Sequence, residues 1–174
     1  GSAAHIARWR EAQDALYAAN RVVQEFYTLV QEQPCLLRFG KMEAGQVRNA
    51  VADHAQLQGT FRCFDDGLYH GLRRQMEQIV ARLCRETGCA IDIHCTTGYP
   101  PVSNDAVLLE KLRERLNVVE VAPTYITEDF SQYQTRVPGV FFWLGTGGVG
   151  LHDPVFDFDE AVLETGLSLF RSLL

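Results

Sequence analysis

Apolar residues along the first half of the chain recur with a helical period in some stretches and a strand period in others. Between residues 11 and 29 they return every three or four positions, which predicts an amphipathic helix. Its apolar stripe comprises Ala12, Leu16, Ala19, Val22, Val23 and Phe26. Residues 35–42 and 55–64 instead alternate between apolar and polar side chains, and they predict two antiparallel strands of a half-buried sheet.

A second amphipathic helix is predicted to begin at Asp66 and to end at Gly88, because glycine readily adopts the left-handed conformation that closes a helix. Its apolar face carries Leu72, Met76, Ile79, Val80 and Leu83. Residues 90–95 follow as a predicted strand. The order helix, strand, strand, helix, strand is that of the ferredoxin-like βαββαβ unit without its first strand.

A break is predicted at residues 98–101, where the sequence is Gly-Tyr-Pro-Pro. The pattern beyond it predicts a smaller unit with a helix over 105–116, a short segment at 118–121, a turn at Thr127, a strand over 140–144 and a final helix over 159–169. The predicted strand is apolar at every position, which is typical of a strand covered on both faces in a larger parallel sheet. The predicted fold class is therefore α/β (α+β), with domains over residues 1–100 and 101–174.

Composition excludes several classes of function. The 174 residues are 47% hydrophobic, which is enough to form one or two compact domains. A net charge of −6, with basic residues scattered among acidic ones, argues against a nucleic-acid partner. No apolar run approaches the roughly 20 residues of a membrane span and no signal-peptide pattern is found, so we expect no membrane partner and a cytoplasmic location. The five cysteines form no CxxC pair and predict reduced thiols.

The C-terminal part contains an ordered series of short motifs: TEDF at 127–130, VPG at 137–139, LGTG at 144–147, LHDP at 151–154 and DFDE at 157–160. Their order and spacing resemble the closing segment of the M20 family of metal-dependent amidohydrolases, which includes aminoacylases, hippurate hydrolases and auxin-conjugate hydrolases. Three earlier segments, GSAAH at 1–5, GQVRNAV at 45–51 and GTFR at 59–62, resemble motifs of the same family's lid domain.

This resemblance implies a fold in which a ferredoxin-like lid or dimerisation domain interrupts a catalytic α/β domain. Residues 1–100 are similar to the lid, and residues 101–174 to the C-terminal part of the catalytic domain. A homodimer formed through the lid is implied, as are two divalent metal ions, commonly zinc, that polarise the amide carbonyl and lower the pKa of a bridging water. The implied reaction is hydrolysis of the amide bond of an N-acyl amino acid or a small peptide.

The resemblance also implies roles for particular residues. His152 matches the metal-binding histidine of the family's Leu-His-x-Pro motif. His5 matches the lid histidine that reaches the neighbouring subunit's active site and stabilises the oxyanion, a role usually worth a few kcal/mol. Asn49 and Arg62 match lid positions that bind the substrate, including its carboxylate. Glu128, in the TEDF motif, is implied as support near the metal site and not as a ligand.

Other interpretations of the same residues stay open. Most lone histidines make ordinary hydrogen bonds and bind no metal. Asn49 also suits a turn between two strands, where asparagine tolerates a left-handed conformation, and Arg62 suits a solvent-facing strand position. The glycines at 145, 147, 148 and 150 lack the following Lys-Ser/Thr of a phosphate-binding loop.

The sequence contains neither the His-x-Asp or Cys-x-His ligand pair nor the Glu-Glu dipeptide that the resemblance implies further upstream. One imidazole does not hold a catalytic zinc, which normally takes three protein ligands. We therefore expect that this chain by itself neither binds metal tightly nor hydrolyses amides. The alternative hypothesis is a non-catalytic dimerisation module derived from such an enzyme, in which an unpaired sheet edge promotes association.

Overall fold

The computed structural model describes residues 1–96, 98–148, 150 and 152–173. The chain divides into two compact units, Gly1–Gly98 and Tyr99–Leu174. The first contains a 3-10 helix (Ile6–Glu11), α1 (Ala15–Val30), β1 (Cys35–Ala44), β2 (Ala55–Cys63) and α2 (Asp66–Thr87). The second contains α3 (Ala106–Arg113), α4 (Phe130–Gln134) and α5 (Ala161–Leu173). None of the described helices is long and apolar enough to cross a membrane.

Aspartate caps decide where two of the helices begin. Asp14 accepts a hydrogen bond from the amide of Tyr17 at 2.9 Å, so α1 begins directly after it and the predicted start at residue 11 was wrong. Asp105 accepts one from the amide of Leu108 at 2.9 Å and begins α3 in the same way. The apolar pattern placed the start of α1 too early, because residues before the cap can also contribute to an apolar stripe.

Both predicted ends of the second helix are confirmed. Asp65 caps the first turn by accepting a hydrogen bond from the amide of Leu68 at 2.6 Å. At the other end Gly88 has φ 72°, and its amide donates to the carbonyl of Cys84 at 3.0 Å. A residue with a Cβ would be strained in this left-handed conformation, which explains the glycine.

The sheet of the first unit is an antiparallel pair of strands. Cys35 lies opposite Cys63 at one end and Ala44 opposite Ala55 at the other, with one irregularity in register at Gly40. Helices α1 and α2 contribute, together with β1, the buried core of this unit. The core residues are Val22, Phe26, Val30, Leu37, Leu72, Met76, Val80 and Leu83.

Four charged side chains join α1 to α2. Glu25 accepts hydrogen bonds from Arg82 and from Arg21, and both arginines also bond to Glu86. The hydrogen bonds from Arg82 and then Arg21 lower the pKa of Glu25 below its ordinary value near 4.5. Because the pKa is lowered in the folded state, this contribution to stability is present above the ordinary pKa and is lost as the pH falls through the lowered one.

Gly59 in β2 is required by close packing against β1. A Cβ at this position would lie 2.6 Å from the carbonyl oxygen of Arg38 and 2.8 Å from Cδ1 of Phe39. We expect Gly59→Ala to lower the free energy of unfolding by about 1–3 kcal/mol, because the strands must shift to admit the methyl group. Urea unfolding followed by circular dichroism measures this change.

Gly71 provides the matched control, because it lies inside α2 and a Cβ there would meet no atom within 4 Å. Gly71→Ala should raise the free energy of unfolding by about 0.5–1 kcal/mol, since alanine favours the helix. Equal effects of the two substitutions would contradict the packing account.

Residues 90–95, predicted as a strand, form no ladder with any described residue, and that prediction was wrong as it stood. Ile91 and Ile93 nevertheless pack against the core of the first unit, as strand residues would. In the βαββαβ order the last strand pairs with the first, and this chain's order lacks the first. The apolar contacts therefore form without the hydrogen-bonded ladder that defines a strand.

Residues 140–144 of the second unit also form no ladder among the described residues, so the predicted strand is not observed. In place of a neighbouring strand, the side-chain amide of Asn104 pairs with the backbone of Phe141. Its Nδ2 donates to the carbonyl of Phe141 at 2.9 Å, and its Oδ1 accepts from the amide at 2.8 Å. No sequence pattern predicts this pairing, because it depends on tertiary structure.

Two neighbouring aromatic side chains of residues 140–144 pack against different helices of the second unit. The ring of Phe141 lies 5.6 Å from that of Phe130 at the start of α4, and the ring of Phe142 lies 6.3 Å from that of Phe170 in α5. A Cβ added at Gly166 of α5 would lie 3.2 Å from Leu144, so this helix packs closely on the segment. The segment is thus contacted by two helices, as a strand covered on both faces would be.

Three further predicted segments differ from the structure. The helix predicted over 105–116 ends at Arg113, and the helix predicted over 159–169 runs over Ala161–Leu173. Residues 118–121 adopt no regular structure. Helix ends fray and lie in half-exposed chain, where the apolar pattern is weakest.

Candidate functional site

A backbone bridge in the first unit brings the segment of His5 against the segment of Asn49. The amide of Ile6 donates to the carbonyl of Asn49 at 3.1 Å, and the amide of Val51 donates to the carbonyl of Ala4 at 2.8 Å. These bonds flank His5, which pairs with Ala50 across the bridge. His5 and Asn49, two of the four candidate site residues, therefore lie on directly paired backbone segments, although they are far apart in sequence.

The imidazole of His5 is held by the turn that follows it. Its Nδ1 accepts a hydrogen bond from the amide of Ala7 at 3.2 Å, and the residue serves as the N-cap of the 3-10 helix. A nitrogen that accepts an amide proton carries none itself, so the neutral ring bears its proton on Nε2. The side chain is exposed, which leaves the Nε2–H edge at the surface of the unit. This tautomer is the one in which Nε2 can donate a hydrogen bond.

Asn49 is exposed on the loop that connects β1 to β2. The turn interpretation rested on the tolerance of asparagine for a left-handed conformation. Among the described residues other than glycine, only His152 has a positive φ, so Asn49 does not use that tolerance. In this loop the left-handed position is taken by Gly45, with φ 65°.

Arg62 lies in β2 opposite Leu36 and is half-buried. Its neighbour Phe61 packs against the core formed with α1 and α2. Because successive strand residues point to opposite faces, Arg62 lies on the sheet face away from those helices. The side chain is partly covered and takes part in a contact, and the choice between substrate binding and an ordinary strand position stays a prediction.

His152 in the second unit has φ 71°, a left-handed conformation that costs a non-glycine residue about 1–2 kcal/mol. It lies in a turn in which the amide of Asp153 donates to the carbonyl of Gly150 at 3.2 Å. Gly147 and Gly148, shortly before it, also have positive φ, at 66° and 76°. Strained backbone of this kind concentrates at binding and catalytic sites. Leu151 of the LHDP motif lies outside the described residues.

Glu128 is half-buried at the start of α4. Its carbonyl accepts a hydrogen bond from Oγ of Ser131 at 2.9 Å, and Ser131 is only 1% exposed. These contacts give the TEDF motif a packing role in its own unit. The bond uses the backbone of Glu128, and support of a metal site by its side chain stays a prediction.

The described residues contain no complete set of metal-ligating side chains. No group of three or more His, Cys, Asp or Glu side chains there could hold a metal ion. The imidazole of His152 is a suitable ligand for zinc, but three protein ligands are normal for a catalytic site. Among the described residues, His152 could therefore provide one ligand of a metal site, but the complete set of ligands is not present there.

Comparison with protein families gives a match over the whole chain. The model of the peptidase family M20/M25/M40 matches residues 1–174. Among curated relatives, an N-acetyldiaminopimelate deacetylase of Limosilactobacillus fermentum is 27% identical, and one of Lactococcus lactis is 30% identical. Each alignment covers 100% of this chain but only 49% and 50% of the respective relative. The chain therefore spans about half the length of the curated relatives it matches.

Two solved structures have folds similar to that of this chain. A protein of methicillin resistant Staphylococcus aureus, described as an aminohydrolase, has a TM-score of 0.83 at 20% identity, and the match covers 99% of this chain and 49% of that one. The YXEP protein of Bacillus subtilis, a dinuclear metal binding peptidase from the M20 family, has a TM-score of 0.80 at 25% identity. That match covers 92% of this chain and 45% of the other. The predicted fold class and the family resemblance are confirmed.

Proposed function

Since the chain belongs to peptidase family M20/M25/M40, we propose that the whole protein is a metal-dependent hydrolase that cleaves the amide bond of N-acyl amino acids or small peptides. The names of the curated relatives support this substrate class, because an N-acetyldiaminopimelate deacetylase removes an acetyl group from an acylated amino acid. The observation in the structure that carries the proposal is the backbone bridge between the segments of His5 and Asn49.

In this proposal residues 1–100 are the lid and dimerisation domain, and residues 101–174 are the C-terminal part of the catalytic domain. The division of the chain into compact units near Gly98 supports that assignment. The whole protein would be a homodimer formed through the lid. The remaining metal ligands and the general base would come from parts of the protein outside this chain.

His5 would donate a hydrogen bond from Nε2 to the oxygen that becomes negatively charged when the amide carbonyl is attacked. The bond from the amide of Ala7 to Nδ1 supports this role, because it keeps the ring in the tautomer that presents Nε2–H and limits its rotation. A donor fixed before the reaction need not reorganise as the charge develops. Such donors contribute about 2.7–4 kcal/mol to transition-state stabilisation.

Asn49 and Arg62 would bind and orient the substrate. The exposed carboxamide of Asn49 offers both a donor and an acceptor, which suits an amide bond or a carboxylate. Arg62 offers a guanidinium on the face of the sheet away from the helices, which suits a carboxylate. Together they would hold an acylated amino acid by its polar backbone groups.

His152 would supply one imidazole ligand to a pair of divalent metal ions, and zinc is the proposed metal. When bound, such ions polarise the carbonyl and lower the pKa of a bridging water. The left-handed backbone at His152 supports the assignment, because the chain accepts a strained conformation at this imidazole. The Bacillus subtilis relative is described as a dinuclear metal binding peptidase, which supports the number of ions.

The test is amide hydrolysis by the protein expressed at its full length. N-acetyl amino acids with different side chains and a set of dipeptides are incubated with it, and release of the primary amine is measured. We expect amine release from at least one N-acetyl amino acid, with loss of activity after chelation and recovery on adding zinc. A folded, zinc-loaded protein that releases no amine from any of these compounds would contradict the proposal and favour a non-catalytic dimerisation module.

Asn49→Ala in that protein should lower kcat/KM by about three- to tenfold, because one hydrogen bond to the substrate is lost. Gln46→Ala is the matched control, since Gln46 is also exposed on the β1–β2 loop but has no assigned role. Equal losses for both variants would show a general effect of the loop and remove the assignment of Asn49.

A further inference from the structure

Cys35 and Cys63 lie directly opposite one another where the β1–β2 hairpin opens, at the end remote from its connecting loop. Directly opposed residues of an antiparallel pair have Cα atoms about 4.5–5.5 Å apart. Disulfides span Cα separations of about 4.4–6.8 Å, so the backbone already provides the spacing that this bond requires. Both cysteines are present as free thiols.

The two side chains share the same environment. Both are half-buried and pack against the apolar core between the sheet and the helices. Each thiol lies near enough to shift the pKa of the other. A bond between them would therefore need little movement of the backbone and would leave the core contacts in place.

We propose that Cys35 and Cys63 form an intramolecular disulfide when the protein meets a peroxide, which makes this pair an oxidation site of the first unit. The bond would close the hairpin at its open end. It would link the start of β1 to the end of β2 and so fix the register that places the β1–β2 loop. This inference does not depend on the proposed hydrolase function.

The chemistry balances with a peroxide as the oxidant. The Cys35 thiolate attacks one peroxide oxygen, the O–O bond breaks, and the products are a sulfenic acid and one water after proton transfer. The Cys63 sulfur then attacks the sulfenic sulfur, the S–O bond breaks, and the S–S bond forms with release of a second water. Two thiols are oxidised by two electrons, and one peroxide is reduced to two waters.

Either cysteine can attack first, and the balance is the same when the roles of Cys35 and Cys63 are exchanged. Burial raises the pKa of both thiols, and it raises the pKa of Cys63 to about 12. Because a thiol with a raised pKa is rarely a thiolate at neutral pH, we expect the disulfide to form faster as the pH rises.

The other cysteines have different surroundings. Cys89 is only 3% exposed, and Cys84 lies on α2 with its Sγ 3.9 Å from the carbonyl of Ile91. Cys95 lies beyond these in the segment without a ladder. None of them occupies a position opposite another cysteine in the hairpin, so oxidation should select the Cys35–Cys63 pair.

The test is peptide mapping of the chain after treatment with hydrogen peroxide and blocking of the remaining thiols. We expect the count of free thiols to fall from five to three in the monomer, and one disulfide-linked peptide pair that contains Cys35 and Cys63. The link should be absent from Cys35→Ser and Cys63→Ser and retained in the matched controls Cys84→Ser and Cys95→Ser. The melting temperature of the oxidised wild-type chain should be higher by roughly 5–15 °C and return on reduction.

Three results would overturn the proposal: five free thiols after oxidation, a disulfide that involves another cysteine, or oxidation of Cys35 to sulfinic acid without a link to Cys63. The peptide map of the wild-type chain decides among them by itself. The outcome therefore stands even if a serine variant fails to fold.

Discussion

Replacing His152 by alanine in the full-length protein is expected to lower the bound metal from about two ions per chain to about one, and kcat/KM by at least about a hundredfold. The reason is that, in the proposed site, loss of the imidazole would open one metal position to solvent and would displace the ion proposed to polarise the carbonyl. Elemental analysis of the purified variant and the amine-release assay measure the two effects.

His94→Ala is the matched control for this experiment. His94 is also an exposed histidine, but it lies outside the motif series and has no assigned role. We expect wild-type metal content and activity in that variant. If His152→Ala retained both metal ions and full activity, the assignment of His152 as a ligand would be wrong.

Replacing His5 by alanine should lower kcat by about 10²–10³-fold while the metal content stays at the wild-type value. The loss arises because the hydrogen bond to the developing oxyanion is made in the transition state and is weak in the bound substrate, so KM should change little. Steady-state kinetics and elemental analysis of the same preparation separate this effect from that of His152→Ala.

Two further variants sharpen the assignment. His5→Asn retains an amide donor and should recover part of the lost kcat. His70→Ala removes another exposed histidine of the same unit, on α2, and should leave kcat unchanged. A loss of less than about threefold in His5→Ala would show that the ring does not stabilise the oxyanion.

The sequence predicted those features of the fold that depend on local chemistry. The second helix was predicted at both ends because Asp66 marks its start and Gly88 its left-handed end. The start of α1 was misjudged because an apolar stripe continues across the capping residue Asp14. A side-chain cap and an apolar pattern compete, and the cap decides where the helical hydrogen bonds begin.

Ladder formation could not be predicted, because a strand needs a partner as well as an apolar pattern. Ile91 and Ile93 have the alternation and the core contacts of a strand, but no described strand pairs with them. Residues 140–144 are also apolar but form no ladder among the described residues. The side chain of Asn104 makes the hydrogen bonds to the backbone of Phe141 that a neighbouring strand would otherwise make.

The candidate residues were identified through motifs, but the motifs do not predict the geometry of these residues in the fold. The left-handed backbone of His152 and the bond from Ala7 to the ring of His5 depend on turns that no periodic pattern encodes. The pairing of the His5 and Asn49 segments joins residues distant in sequence and arises only in the folded unit.

We propose that His152 binds a metal ion in the whole protein, and anomalous diffraction at the zinc edge from crystals of the full-length protein tests this assignment most directly. The account predicts a zinc peak about 2.0–2.1 Å from a ring nitrogen of His152, with a second metal nearby. Zinc peaks that lie away from His152, or none in zinc-loaded crystals, would contradict it.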